Sequence, residues 1–156
     1  MKAIHWITAA AALTLGLPAP ADASITDPEI IIYRFPGVRD DGGGVFIGVA
    51  TVFFCTNFSG VTENARLVTR RSDGSLANNS VFSVDHLATI TMATHNPGGF
   101  SSFVMNTGAI AQGTTAIAAT STTIICTAAI IDAADSKPVG IALRGIRFNP
   151  VPGSQE

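Results

Sequence analysis

Two histidines lie close to side chains that could take part in acid–base chemistry. Asp85 and His86 are adjacent, His95 follows, and Ser101 and Ser102 come soon after it. A serine hydrolase needs a hydroxyl, a histidine base and a carboxylate held in one geometry. The chain has no Gly-x-Ser-x-Gly motif, which would place a serine on a strained turn. We therefore expect no catalytic residues and interpret both histidines as loop residues that flank a strand; a hydrolase built on them is an alternative.

Asp40 and Asp41 precede three consecutive glycines and could supply oxygen ligands to calcium. Calcium takes about six to eight oxygens, and dedicated loops supply them at regular acidic spacing. This segment lacks such spacing. We expect an ordinary polar loop, and no metal or cofactor.

Five of the seven arginines lie on two segments that are expected to form strands. Arg66, Arg70 and Arg71 belong to one segment, and Arg144 and Arg147 belong to the other. If these strands are neighbours, Arg66, Arg70, Arg144 and Arg147 would form a basic stripe able to hold carboxylate or phosphate groups. The other interpretation is that they are solvated charges, which discourage edge-to-edge strand pairing.

The first 23 residues have the pattern of a cleavable signal peptide. Lys2 provides a positive start, residues 4–17 are apolar and uncharged, and Pro18 and Pro20 follow. Small residues precede the expected cleavage between Ala23 and Ser24; cleavage before Asp22 is the alternative. The apolar run is shorter than the ~20 residues that span a bilayer. We expect an exported protein, periplasmic or extracellular, with no transmembrane segment in the mature chain.

The mature chain contains two cysteines, Cys55 and Cys126. In an oxidising compartment an even pair usually forms a disulfide bond, so we expect these two to be joined. Two buried free thiols are the alternative. Neither cysteine has a second metal ligand at short spacing, which argues against a zinc site.

Composition indicates one folded domain with no attraction to nucleic acid. Of the 156 residues, 47% are hydrophobic and 13% are charged, which excludes a disordered chain. The net charge of −2 gives no long-range field that would steer the protein to nucleic acid. We expect a signal peptide at 1–23, one domain at 24–149 and a proline-containing C-terminal tail at 150–156.

The elements that position these residues are expected to be short strands separated by turns. Helix signals are scarce, and the alanine-rich stretch 108–134 contains enough threonine and isoleucine to favour strands. The predicted strands are 30–35, 45–58, 63–71, 76–84, 87–94, 100–106, 109–118, 122–131 and 139–148. The pattern predicts an all-β antiparallel sandwich.

Three local features are specific enough to test. The period-two alternation from Val45 to Cys55, through Ile47, Val49, Thr51 and Phe53, predicts one shared face of a long strand over 45–58. Asp73-Gly74 predicts a type I′ hairpin turn. In the last strand the apolar alternation shifts near Gly145, which predicts a β-bulge at that residue.

The segments VATVFFCTNFSG (49–60), NARLVTRRSDG (64–74) and TTIICTAAIID (122–132) together resemble small exported bacterial immunoglobulin-like β-sandwich proteins of uncharacterised function. The resemblance covers most of the mature chain. It implies an immunoglobulin-like sandwich with a disulfide bond between its two sheets. It implies no activity.

The sequence favours a non-enzymatic exported protein that acts as an envelope-associated or secreted interaction module and binds an envelope or extracellular protein partner. Its charge-poor strands could pair with a partner strand at an exposed sheet edge. The alternative is a periplasmic binding protein that holds a small anionic ligand on the arginine stripe.

Overall fold

The computed structural model describes residues 30–98, 101–135 and 139–148. In these ranges the chain forms ten β strands and no helix, so it offers no helical segment capable of crossing a membrane. The strands are β1 (Ile30–Asp40), β2 (Val49–Asn57), β3 (Glu63–Arg71), β4 (Leu76–Val84), β5 (Thr89–Ala93), β6 (Phe103–Val104), β7 (Ile110–Ala119), β8 (Ile124–Asp132), β9 (Gly140–Leu143) and β10 (Ile146–Arg147). The predicted signal peptide, its cleavage site at Ala23 and Ser24, and the predicted tail lie outside the described residues.

The strands form two five-stranded sheets. The first sheet has the order β10-β1-β7-β3-β4, and the second has the order β6-β5-β2-β8-β9. Neighbouring strands are antiparallel except β5 and β6, which are parallel. The all-β, two-sheet fold class predicted from the sequence is confirmed.

One main core lies between the inner faces of the sheets. Phe35 of β1 contacts Phe53 of β2 edge to face, with ring centroids 5.6 Å apart. Leu67 and Ile117 of the first sheet and Met92 of the second are fully buried in the same core. Burial of this apolar surface from both sheets is the main force that holds them together.

The alternation of β3 places its charged residues on the outer face. Ala65 and Leu67 are fully buried, whereas Arg66 is half-buried and Arg70 is exposed. Side chains of a strand point alternately to opposite faces, so this pattern was readable from the sequence. Ala65 and Leu67 therefore face the core, and Arg66 and Arg70 face outward.

The second sheet also buries part of its outer face. Ala50 and Val52 of β2 are fully buried with Ala93, Ile131 and Ala133 in a second apolar cluster. The inner-face residues of β2 pack in the main core instead. Burial on both faces explains why the β2 sequence is a nearly continuous apolar run rather than an alternating one.

The start of the second strand was predicted four residues too early. β2 begins at Val49 rather than Val45. Phe46 and Gly48 have φ angles of 62° and 74°, outside the extended region that a strand requires. Val45 and Ile47 therefore lie exposed in a loop, and their predicted place on the strand is wrong.

The hairpin between β3 and β4 is present but is not the predicted type I′ turn. Gly74 has a φ angle of 83°, whereas Asp73 has no positive φ. The N–H of Gly74 donates to the carbonyl of Arg71, and the N–H of Arg71 donates to the carbonyl of Ser75. This pattern is that of a three-residue loop with glycine in the left-handed position.

The disulfide bond joins the predicted cysteines but lies within one sheet. Cys55 of β2 pairs directly with Cys126 of β8, with a Cα–Cα distance of 4.2 Å. β2 and β8 are neighbours in the second sheet. A bond between the two sheets, which the family resemblance implied, is therefore wrong. The pairing itself is confirmed.

The predicted bulge at Gly145 is a crossover between sheets. β9 belongs to the second sheet and β10 to the first, so the chain changes sheet at Arg144-Gly145. A Cβ atom at Gly145 would lie 2.4 Å from a ring carbon of Phe35. The glycine is needed because the crossing chain passes against a core aromatic ring.

Candidate functional site

β1 carries a carboxylate into the interior at the end of the sandwich. The strand was predicted to end at residue 35, but it continues through Pro36 and Gly37 to Asp40, with register shifts against β7. Asp40 is 2% exposed. Its Oδ2 lies 2.9 Å from Nδ1 of His95, and its Oδ1 accepts the N–H of Gly42 at 2.7 Å. Asp40 and His95 form the one ion pair among the described residues.

The surroundings of His95 determine where its protons lie. Its Nε2 is 2.9 Å from the carbonyl oxygen of Ile47, which can only accept, so Nε2 carries a proton. Nδ1 lies within hydrogen-bond distance of Asp40 Oδ2. The Thr107 hydroxyl also donates toward Asp40 Oδ2, at 3.4 Å. Both ring nitrogens of His95 thus make hydrogen bonds within the protein. Through them the histidine holds the loop between β1 and β2 in place.

Asp41 fixes the same loop from the solvent side. Its Oδ2 accepts the N–H of Val49 at 2.9 Å and its Oδ1 accepts the N–H of Gly43 at 3.0 Å. These backbone hydrogen bonds, that from Val49 first, lower the pKa of Asp41 below its usual value. The carboxylate lies so close to Gly48 that a Cβ there would be 1.8 Å from Oδ2.

Asp40, Asp41 and His95 are also the one group of described residues that brings three potential metal-ligand atoms together, all within 4.8 Å of one another. The sequence suggested Asp40 and Asp41 as possible calcium ligands. The structure adds His95 to this group, which the sequence did not connect to them. One nitrogen and two carboxylates fall short of the six to eight oxygens of calcium. Their hydrogen bonds to loop and strand account for the cluster without an ion.

The acid–base constellation considered from the sequence is not assembled. Asp85 accepts the hydroxyl of Thr62, and His86 Nδ1 accepts the N–H of Gly60. His95 lies at the other end of β5, which at about 3.3 Å per residue puts it on the order of 15 Å or more from His86. The Ser102 hydroxyl accepts the N–H of Thr91 instead of meeting a histidine.

The predicted arginine stripe is divided. Arg66 and Arg70 lie on β3, which neighbours β7 and β4, whereas β10 with Arg147 pairs with β1. Arg147 stacks over the Tyr33 ring and donates to the carbonyl of Thr122 at 2.8 Å. Arg144 is exposed in the crossover between the sheets. The two arginine-bearing strands are not neighbours, so the condition for a single stripe is not met.

A cleft lies between the sheets beside β9. It has a volume of about 530 Å³ and extends between the β1–β7 side of the first sheet and the β8–β9 side of the second. Its apolar walls include Val49, Ile110, Ile130 and Ile141, and its polar lining is Arg39, Asp40 and Asp41. The volume falls within the range of about 300–1,000 Å³ that is typical of ligand sites.

A second cavity of about 350 Å³ continues this apolar surface along β8 and β9 and shares Val49, Ile130 and Ile141 with the cleft. Val139 and Ile141 are 77% and 73% exposed. In the loop before β2, Val45, Phe46 and Ile47 are each more than half exposed. Large apolar side chains of this kind are more often buried, so the exposed surface at Val139 and Ile141 makes the cleft the candidate site.

Of the cleft residues, Asp40 and Asp41 were candidates from the sequence, whereas the apolar walls were not recognised as part of a site. Val49, Ile130 and Ile141 have the alternation of core positions, and only the position of β9 at the sheet edge leaves Ile141 uncovered. The one sequence signal for an exposed apolar surface was the run Val45-Phe46-Ile47 after three glycines. That run was predicted to lie on a strand.

Comparison of the chain with known protein families, with curated proteins and with solved structures found no match.

Proposed function

We propose that this protein is an exported, non-enzymatic interaction module that binds an extended segment of a partner protein in the cleft beside β9. The observation that carries the proposal is the exposed apolar surface around that cleft, centred on Ile141. The partner segment would add a strand to the second sheet and place alternate apolar side chains in the cleft.

The edge of the second sheet supports this mode of binding. β9 is an edge strand of four residues beside the nine-residue β8. On the side away from β8, its backbone groups face no further strand of that sheet among residues 30–98, 101–135 and 139–148. β9 also contains neither proline nor a charged residue, the devices by which proteins block edge pairing.

The edge of the first sheet on the same side is less suited to pairing. Pro36 lacks an N–H, and register shifts on both sides of Val38 interrupt β1. The backbone N–H and carbonyl of Arg39 are bonded to the Thr51 hydroxyl, at 2.9 and 2.7 Å. An added strand therefore finds its hydrogen bonds on β9 and its apolar contacts in the cleft.

The polar groups that line the cleft support binding rather than catalysis. The oxygens of Asp40 and Asp41 accept hydrogen bonds from loop and strand N–H groups. A general base must be able to reach a substrate proton. Because the carboxylates of Asp40 and Asp41 already accept hydrogen bonds that hold the loop, they are better suited to fixing the shape of a binding site than to accepting a substrate proton.

The test uses the full chain expressed in a bacterial host and purified from the exported fraction. A phage-displayed library of random linear peptides is selected against it, and the binding of enriched peptides is measured by calorimetry. Ile141→Asp places a charge in the apolar site, so we expect it to weaken peptide binding at least tenfold. Val81→Asp, at an exposed apolar position on β4 of the other sheet, is the matched control and should bind as the unaltered protein does.

Peptide backbone chemistry separates strand addition from non-specific adhesion. N-methylation of alternate peptide residues removes the donors that β9 would engage and should abolish binding. Equal binding to both aspartate variants, no effect of N-methylation, or no enriched peptide would each contradict the proposed site. Recovery of the protein solely from the cytosol, with its leader attached, would contradict export.

A further inference from the structure

The outer face of the first sheet carries a shallow groove that runs along β7. The groove has a volume of about 230 Å³. Its floor is formed by the small side chains of Ala116 and Ala118, and its walls by Ile31 and Arg34 of β1 and by Val68 and Arg70 of β3. This face points away from the cleft, so the groove is independent of the proposed peptide site.

Two arginines, Arg34 and Arg70, line the groove, and Arg66 lies beside it on the same face of the sheet. Ala116 pairs with Arg34 on one side and with Val68 on the other, and Arg66 and Arg70 lie two residues to either side of Val68 on the same face. The spacings of strands and residues place the three Cα atoms about 10–13 Å apart. Arg34 was not among the predicted site residues, because nothing in its own segment links it to β3.

None of these arginines has a carboxylate partner among the described residues, where His95–Asp40 is the one ion pair within 4.0 Å. Arg34 is held over the Phe148 ring at 5.5 Å, and Arg70 donates to the carbonyl of Gly74 at 2.9 Å. Arg66 Nε is buried and has no hydrogen-bond acceptor. The positive charge is therefore positioned but not neutralised by the protein, and a buried unpaired donor is unfavourable until it gains an acceptor.

We propose that this groove binds a linear acidic polysaccharide. The guanidinium groups of Arg34 and Arg70 are held on opposite sides of the groove, at the Phe148 ring and at the Gly74 carbonyl. A chain with repeated negative charges can therefore contact both groups at once. The apolar floor and walls suit the C–H faces of sugar rings. The lining contains no aromatic side chain, which single-stranded nucleic acids require for base stacking.

The experiment measures binding of the purified exported protein to a heparin octasaccharide and to oligogalacturonate, by biolayer interferometry at low and physiological salt. The first probe carries sulfate and carboxylate groups and the second carboxylate alone, so the two distinguish the anionic group preferred. Binding should weaken as salt rises, because the contacts are charged. Arg34→Gln, Arg66→Gln and Arg70→Gln should each weaken it about tenfold, as expected for one lost charged hydrogen bond.

Arg144→Gln is the matched control, because it removes the same charge from an exposed arginine outside the groove. It should change the affinity less than twofold. Ala116→Phe tests the floor without altering charge and should abolish binding by filling the groove. Circular dichroism confirms that each variant is folded; an unfolded arginine variant is replaced by the corresponding Arg→Met variant, and an unfolded Ala116→Phe by Ala116→Leu.

Four outcomes would overturn the proposal: no binding of either saccharide, equal weakening by Arg144→Gln and the groove variants, unchanged binding by Ala116→Phe, or tighter binding of a single-stranded oligonucleotide than of both saccharides. Peptide binding at the cleft is measured on the same variants and should not change, so failure of one proposal is distinguishable from failure of the other.

Discussion

At the level of single residues, the loop between β1 and β2 is held by two adjacent carboxylates in different environments. Asp40 is buried and faces His95, whereas Asp41 is exposed and accepts the N–H groups of Val49 and Gly43. The same loop exposes Val45, Phe46 and Ile47 to solvent and leads into Val49, which lines the cleft. Hydrogen bonds to acidic side chains therefore position the hydrophobic surface on which the proposed function depends.

Acid should weaken this loop through Asp41. The pKa of Asp41 is lowered in the folded protein, from 3.8, mainly by the hydrogen bond from the Val49 N–H. A lowered folded pKa means that its stabilising contribution is complete above 3.8 and is lost as the pH falls through the folded pKa. We expect the urea midpoint of the native protein to fall more steeply below pH 4 (roughly the unperturbed Asp value) than that of Asp41→Asn.

The control for this experiment is Asp132→Asn, at an exposed carboxylate on the neighbouring β8. It should retain the steep acid dependence. If Asp41→Asn and the native protein show the same slope, the hydrogen bonds of Asp41 contribute nothing to stability.

At the level of elements, the pair β9 and β10 ties the two sheets together along one side. Each strand is short, and the chain passes from one sheet to the other between them. The crossing places Gly145 against the ring of Phe35, which is itself fully buried in the main core. The position of β9 at the cleft thus depends on how closely the backbone approaches one aromatic side chain.

Gly145→Ala should be destabilising, because the added methyl group would lie 2.4 Å from a Phe35 ring carbon. Inserting a carbon into a packed core costs about 1–3 kcal/mol. The free energy of unfolding in urea measures the effect. Gly44→Ala is the control, because its Cβ would make only an ordinary contact, 3.4 Å from Ile47. Equal unfolding free energies for the two variants would show that the crossover moves freely to accommodate a side chain.

At the level of the whole molecule, the core holds the sheets together while the disulfide bond reinforces only one of them. Cys55 and Cys126 are 71 residues apart in sequence and directly opposite each other on β2 and β8. The closed loop contains five complete strands, from β3 to β7, and therefore parts of both sheets. The bond restricts the unfolded chain across most of the domain although it bridges no gap between sheets.

Removing this bond should cost about 4 kcal/mol, from the entropy of a loop of this length in the unfolded chain. The variant that carries both Cys55→Ala and Cys126→Ala should lose about this much unfolding free energy in urea. Reductant should destabilise the native protein by a similar amount and leave the double variant unchanged. A native protein whose stability is insensitive to reductant under unfolding conditions would contradict this account.

Strand identity was predictable because it depends on local alternation, as in β3 and β4. The pairing of Cys55 with Cys126 was also predictable, since there are only two cysteines. Which sheet each strand joins was not, because that depends on long-range pairing of residues such as Arg34 and Val68 with β7. For the same reason the groove arginines and the contact between Asp40 and His95 became apparent only with the fold.

The first and last described strands lie side by side in the same sheet. Only Tyr33 and Arg34 of β1 pair with β10, and the Phe148 N–H donates to the carbonyl of Ile32. Residues 30 and 148, the two ends of the described chain, therefore lie at the same end of this sheet. A mechanical load applied between them would peel β10 from β1 one hydrogen bond at a time, rather than shear two long strands past each other. The disulfide-closed loop from Cys55 to Cys126 would carry no load until β10 had separated from β1. A molecule pulled by its two ends should therefore unfold first at β1 and β10, while the residues between the cysteines stay folded.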